Sequence, residues 1–396
     1  MKLNIPYILT INGGSSSIKF SLFLAEQPPR QIVTGKIDRI GVSNTTINIK
    51  NHEVPEKNLV RSISASNYLS AIHALMDWIE REEVPLLIAV GHRIVHGGPK
   101  YHQPEKITPA MLAELTHYSS FSPAHLPNEI LLIDAFQKKF PHLLQIACFD
   151  TAFHHHMPRV AKMLPIPRRY AEKGVQRYGF HGISCAFLME ELERKVGRTK
   201  AQEKIILVHL GNGVSLTAVY QGKSMDTSMS FTPAAGVPMG TRSGDLDPAL
   251  AWYFMREEKM NAEEFNEMIN TQSGLLGVSE ISSDIRDLLA CEATDSRAFE
   301  AIELFCYQIK KWIGAFSAVL GGLDIVVFSG GIGENQVSIR ARICAGLEFL
   351  GIVLDDQYNA DNNTIISAPT SKVAVHVIHT NEEQMIAQAV YCQLKL

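Results

Sequence analysis

The chain has 396 residues, of which 46% are apolar and 20% charged, and a formal net charge of -4. It is long enough for two ordinary cores, too apolar for a disordered chain, and without the basic excess that a nucleic-acid partner demands. The opening "MKLNIPYILTINGG" lacks the apolar segment and cleavage site of a signal peptide, and no run approaches the ~18 apolar residues of a membrane span, so a soluble cytoplasmic protein is expected. The cysteines at 148, 185, 291, 306, 344 and 392 show no CxxC spacing and mostly sit in apolar runs, which predicts reduced, mostly buried thiols.

In chain order, strand signals fall at residues 7–11, 18–24, 45–49, 86–90 and 144–149, and helical spacing at 67–82 and 129–140. The first two strands enclose Asn12, Gly13, Gly14, Ser15, Ser16 and Ser17, with Lys19 just beyond, where about two turn residues would suffice. The surplus hydroxyls, N–H groups and cation suit phosphate oxygens, although a solvated turn has the same composition. It is not a Walker A loop, because the spacing differs and a strand follows.

Residues 205–220 repeat the strand–turn–strand theme around "HLGNG", which suggests a duplicated α/β unit with a cleft between the copies. Phe299, Ile302, Cys306, Ile309, Ile313, Phe316 and Leu320 then predict a long amphipathic helix. It leads to "LDIVVFSGGIGEN", a strand ending in a third glycine turn, and to a helical pattern at 338–350. A last helix follows in "TNEEQMIAQAVYCQL", where Thr380 and Glu383 fit a capping box. Three glycine loops at strand ends favour a nucleotide cleft, since glycine admits a ligand close to the backbone.

Arg93, in "GHRIVHGG", follows the strand at 86–90, and strand ends are where open α/β sheets bind ligands. Between His92 and His96 it could form a forked anion clamp or pair with a surface carboxylate. Arg242, between Gly240 and Gly244 in the irregular segment 229–248, is a second clamp candidate. Asp150 ends the run "LLQIACF" and could hold Mg²⁺ through water or orient a nucleophile. Three consecutive histidines at 154–156 cannot aim at one ion from a regular element, which argues against zinc. His181, before a helical pattern at 184–195, could donate to developing negative charge or be structural, and His125 reads the same way. Glu382 could simply complement the last helix's dipole.

In this order, "NGGSSSIKF", "GHRIVHGG", "FDTAFH", "YGFHG", "HLGNG", "GTRSGDLDP", "GGIGEN" and "TNEE" resemble the acetate kinase family, essentially end to end. The resemblance implies the superfamily of acetate and sugar kinases, heat-shock ATPases and actin. Its fold is α/β, with two ribonuclease-H-like, actin-like ATPase domains around a nucleotide cleft. The implied domains are 1–150 with 381–396, and 151–380 for nucleotide binding and dimerisation, in a homodimer. Asn12 and Glu382 match the Mg²⁺ site, with Mn²⁺ as an alternative ion, and Ser15, Ser17 and Lys19 match phosphate contacts. His209, Leu210, Gly211, Asn212, Gly213, Asp284, Ile285, Arg286, Gly331, Ile332, Gly333, Glu334 and Asn335 match the ATP contacts. Arg93 matches the acetate and phosphoryl clamp, with Val95, His125 and Phe180 beside the substrate. His181 and Arg242 match transition-state stabilisers, and Asp150 matches the essential acid. The implied reaction is reversible in-line transfer from Mg-ATP to acetate, giving acetyl phosphate and ADP.

The sequence departs from that pattern in places. Gly13 replaces a common alanine, His379 a usual proline, and Ala124 the leucine that meets the substrate methyl, whereas Val95 is retained. The last two signals conflict, so a propionate or mixed short-chain acyl kinase is the near alternative. An actin-like nucleotide switch without catalysis is the distant one.

Overall fold

The computed structural model describes residues 5–14, 16–42, 44–81, 86–123 and 125–394. The chain forms two compact units: unit 1 is Met1–Ala152, Gly182–Ser184 and Asn381–Leu396, and unit 2 is Phe153–His181 and Cys185–Thr380.

Unit 1 is built on strands β1 (Tyr7–Gly13), β2 (Ser17–Leu24), β3 (Arg30–Asp38), β4 (Thr46–Asn51), β5 (Leu59–Ser62), β6 (Leu87–Ile94), β7 (Glu105–Lys106) and β8 (Leu144–Phe149). They form one sheet in the order β5-β4-β3-β2-β1-β6-β8-β7. β1 to β5 pair antiparallel in succession, whereas β6 lies parallel to both β1 and β8. Helices α1 (Tyr68–Arg81), α2 (Pro109–His117) and α3 (Leu126–Lys139) complete the unit with the C-terminal helix Glu382–Leu394.

Successive residues of a strand face opposite sides of its sheet, and β1 shows the consequence. Leu9 joins Phe20, Trp78 and Phe136 in the layer under α1 and α3. Ile8 joins Phe23, Ala89, Ile146 and the C-terminal helix residues Ile386 and Val390. A Cβ on Gly91 would lie 2.5 Å from Ile386 Cγ2 and 2.6 Å from Val390 Cγ2, so this glycine lets the helix rest directly on β6.

Unit 2 carries β9 (Ile205–Leu210), β10 (Val214–Tyr220), β11 (Lys223–Thr227), β12 (Ile325–Ser329) and β13 (Ala374–Val377), in the order β11-β10-β9-β12-β13. The antiparallel run β9-β10-β11 and the parallel strands β12 and β13 repeat the arrangement of β1-β2-β3 with β6 and β8. The repeat that is faint in the letters of the sequence is therefore plain in the topology, and the α/β fold rests on two mixed sheets.

Local expectations are corrected in several places. Arg93 lies within β6 rather than after it, because pairing with β1 continues to Asn12. "GGIGEN" is a short helix, Gly330–Asn335, and the pattern at 338–350 divides into Val337–Cys344 and the single turn Glu348–Leu350, with Gly346 at φ +80 between them. The last helix is capped by Asn381, whose Oδ1 accepts from Gln384 N at 2.9 Å, while Thr380 N donates to Glu334 Oε1 at 3.0 Å. Phe299 is 48% exposed on the long helix Ser296–Leu320, whose buried stripe runs instead through Ala298, Ile302, Phe305, Ile309, Ile313 and Phe316. All six cysteines are free thiols. No described helix is long and apolar enough to cross a membrane.

Candidate active site

In unit 1 the sheet register brings the candidate residues together. Asn12, near the end of β1, stands opposite Lys19 on β2 and Arg93 on β6. Cys148, opposite Arg93 on β8, carries the chain on to Asp150, whose N–H donates to Ile94 O at 2.8 Å. The Arg93 guanidinium is thereby fixed. Its Nη2 donates to Asp150 Oδ2 at 2.7 Å, its Nη1 to Asn12 Oδ1 at 3.4 Å, and Nη1 also lies 3.9 Å from Glu129 Oε1. Asn12 Nδ2 in turn donates to Glu382 Oε2 at 3.4 Å.

The side chains of Asp150 and Glu129 are 0% and 2% exposed and that of Arg93 14%, so their charges act in a poorly screened setting. Burial opposes the Arg93 charge, but Asp150, Glu382 and Glu129 outweigh it and hold the group above its ordinary range. Burial pushes Glu129 up to about 8 against the pull of Arg93. Loss of solvation, then Asp150, pushes Glu382 up to about 7. With Glu129 mostly protonated at pH 7, a divalent cation beside Glu382 would favour the ionised form of that carboxylate.

The donor set fits such an ion. Asn12 and Glu382 offer oxygen ligands, and no group of three or more His, Cys, Asp or Glu among the described residues is placed to hold a metal ion. Mg²⁺ characteristically takes one or two protein oxygens and completes its shell with water and phosphate.

The histidines beside Arg93 add no positive charge to an anion clamp at pH 7. His92 is buried against Gln145, 2.7 Å from Nε2 to Oε1, and His96 Nδ1 accepts from Gly98 N at 2.9 Å. Burial pushes both imidazoles down to about 4, so both are neutral at pH 7. Gly97 is required by the fold: a Cβ there would lie 2.1 Å from Tyr101 O. Val95 is buried and donates its N–H to Glu129 Oε2 at 3.0 Å. His125 immediately precedes α3. Ser17 opens β2, and its carbonyl accepts from Gly14 N at 2.8 Å. Ser15 and Ala124 lie outside the described residues.

In unit 2, His181 sits at φ +56 before the helix Gly182–Val196, its Nδ1 2.9 Å from Ser215 Oγ and its ring stacked on His209 at 4.4 Å. A Cβ on Gly213 would lie 3.0 Å from His181 Nε2 and 3.6 Å from Arg242 Nη1, so both side chains converge on that glycine. Arg242 Nη1 donates to Pro233 O at 3.2 Å. Asn212 Oδ1 lies 3.3 Å from where a Gly240 Cβ would sit, and Ser283 O 3.0 Å from it, which brings the 209–213 turn near the start of 284–286. Phe180 is buried, and its carbonyl accepts from His154 Nε2 at 2.9 Å, which accounts for one member of the histidine triplet.

Other matched positions are occupied structurally. Ile285 is in the core, and Asp284 caps its helix at Arg286 N while holding the Arg286 side chain. Glu334 accepts from Gly330 N at 2.9 Å and Thr380 N at 3.0 Å and lies 2.8 Å from His379 Nδ1, so it ties the loop together. Asn335 Nδ2 donates to Gly331 O, and Ile332 and Gly333 lie in the same short helix. Leu210 is buried beneath it, and a Cβ on Gly211 would meet His209 Nε2 at 3.4 Å. Sequence reasoning missed Glu129, Tyr68 and Ser215, and the letters carry no signal that a first-turn glutamate would be buried.

The comparisons with known proteins agree with one another. The model of the Acetokinase family matches residues 7–388. The acetate kinase of Rhodopseudomonas palustris (strain TIE-1) is 41% identical over 390 residues, 97% of each chain. The propionate kinase of Citrobacter rodentium (strain ICC168) is 40% identical over 389 residues, 97% of this chain and 96% of its own. The crystal structure of a propionate kinase from Francisella tularensis superposes with a TM-score of 0.91 at 36% identity, covering 97% of this chain and 99% of that one. With the arginine, acid and glycine turns in place, and likeness extending over nearly its whole length, the chain belongs to the acetokinase family.

Proposed function

We propose that the chain transfers the γ-phosphoryl group of ATP reversibly to the carboxylate of acetate, giving acetyl phosphate and ADP. The observation that carries this reading is the buried Arg93 guanidinium, held by Asp150 and Asn12 at the ends of parallel strands. Attack of a carboxylate on the γ-phosphoryl brings anions together, at roughly 4 kcal/mol per charge pair at 4 Å and an effective dielectric near 20. Arg93 would receive the acyl carboxylate and Arg242 and His181 the charge of the in-line transition state. Asn12 and Glu382 would hold the divalent cation, Mg²⁺ or Mn²⁺, which supplies charge neutralisation on the phosphates when bound. An acetate oxygen forms the new bond to phosphorus while the bond to the β-phosphate oxygen breaks, and ADP leaves. Acetate is already deprotonated at neutral pH, so no base is required, and Asp150 positions Arg93 instead of removing a proton.

We assign acyl binding to residues 1–150 with 381–396, and nucleotide binding and dimerisation to 151–380. The glycine turns in unit 2 support nucleotide binding there, and the exposed Trp252, Tyr253 and Tyr307 support pairing with a second copy. Dependence on ATP and six free thiols suit the cytoplasm.

The test is the initial rate of acyl phosphate formation, trapped as hydroxamate, with acetate, propionate or butyrate and with Mg²⁺ or Mn²⁺. Acetate leading in kcat/KM by tenfold or more supports the acetate reading. Propionate equal or ahead supports the second reading, which Ala124 in place of leucine favours. No product from any acid overturns both.

A further inference from the structure

Beyond the residues supplied by family likeness, one buried carboxylate in unit 1 touches both parts of the acyl site. Glu129 lies in the first turn of α3, where an acid usually meets the helix dipole from the surface. Here it is 2% exposed. Its Oε2 accepts from Val95 N at 3.0 Å, and its Oε1 lies 3.9 Å from Arg93 Nη1 and has no hydrogen-bond partner among the described residues.

Tyr68 Oη and Arg93 Nε are likewise buried without a hydrogen-bond partner among the described residues. A Cβ on Gly13 would lie 2.5 Å from Tyr68 Oη and 3.8 Å from Glu129 Cγ, so phenol and carboxylate converge on the backbone next to Asn12. A site selected for packing would place an apolar side chain here, because burying an acid is costly and an apolar replacement is often neutral or stabilising. The retained acid, bonded to one site residue and facing another, indicates a task in the chemistry.

We propose that Glu129 is a positioning residue for acyl transfer: it ties the Val95 main chain to the Arg93 guanidinium, so that the apolar wall and the anion clamp keep a fixed spacing. That spacing sets the length of acyl chain accepted. The inference rests on the acyl-kinase reading above.

The test uses the full chain with Glu129→Met, which keeps the volume but removes both polar contacts, and Glu129→Gln, whose amide oxygen still accepts from Val95 N. Rates of acyl phosphate formation are measured against acetate, propionate and butyrate, with KM for ATP as a control. The expected result for Glu129→Met is a fall of about tenfold in kcat/KM for acetate and a smaller fall for propionate. The propionate-to-acetate ratio then rises threefold or more, with KM for ATP within twofold of the parent. Glu129→Gln is expected to keep the ratio within twofold.

A merely structural glutamate would lower the active fraction and leave the ratio untouched. An unchanged ratio in Glu129→Met therefore overturns the proposal. So does a Glu129→Gln variant whose ratio rises threefold or more, a result that can be read even if Glu129→Met fails to fold. Parent protein that makes no acyl phosphate instead overturns the underlying reading, a different outcome.

Discussion

The two groups of candidate residues are held in opposite ways. In unit 1 side chains hold side chains, with Arg93 fixed by Asp150 and Asn12, and Asn12 bonded to Glu382. In unit 2 backbone shape does much of the work: His181 is aimed from φ +56, Arg242 donates to a carbonyl, and Gly330 turns at φ +74 against Leu210 O. One site is specified by charge and the other by turn geometry. Substitutions that keep shape but remove charge should hurt the first, and substitutions that add a single carbon should hurt the second.

The largest effect expected is from Arg93→Ala, a fall of about 10³-fold or more in kcat/KM together with a lowered Tm, because Asp150 loses its buried counter-charge. Arg93→Lys keeps the charge but not the fork, and should recover part of the stability and little of the rate. Thermal melts and hydroxamate assays read both, and an unchanged Tm in Arg93→Ala would break the comparison. Asp150→Asn keeps the shape and should lose about 10²-fold in kcat, an order expected for one charged group at a transition state. That loss should be flat from pH 6 to 9, whereas recovery on raising the pH would mean that Asp150 acts as a base.

For unit 2 the comparison is sharpened by neighbouring glycines. A Cβ on Gly330 would lie 2.6 Å from Leu210 O at a positive φ, so Gly330→Ala should cost about 2 kcal/mol or more of stability. Gly331 has nothing within 4 Å of its Cβ position, and Gly331→Ala should stay within about 0.5 kcal/mol in the same denaturant titration.

A further effect concerns pH. Glu129 binds its proton more tightly folded than unfolded, so its stabilising contribution is full below its ordinary value and is lost as pH rises toward about 8. His92 acts oppositely: its contribution is present above its ordinary value and is lost as pH falls toward about 4. Glu129→Gln should therefore flatten the loss of stability between pH 6 and 8, by on the order of 1 kcal/mol per pH unit. An unaltered slope would show Glu129 to be ionised throughout.

Much of the fold was legible, because strand alternation and helical spacing are local. The run at 144–149 coincides with β8, and the helix expected at 67–82 is observed as Tyr68–Arg81. What the letters concealed depends on distant partners. β3, β5, β7, β11 and β13 were missed, and β6 proved longer than its apolar run, because pairing with β1 carries it on to Arg93 and pairing with β8 to Ile94. The cap of the last helix moved to Asn381 because Glu334, far away in sequence, takes the Thr380 N–H. The motifs identified Arg93, Asp150 and Asn12 as candidates, and the sheet register places them side by side. Glu129 was invisible because the burial of a single acid is decided by what packs over it, not by its neighbours in the chain.

Asn12 meets Glu382 across 370 residues of sequence. At synthesis rates of roughly 5–20 residues per second, about 20 to 70 seconds pass between the ribosome's addition of one and of the other. Throughout that interval the growing chain contains Arg93, Asp150 and Glu129, but not the helix that covers Ile8, Phe23, Ala89 and Ile146. The contact between Asn12 and Glu382 is thus among the last features that translation can complete, and a half-made chain has an apolar sheet face to protect before that contact exists.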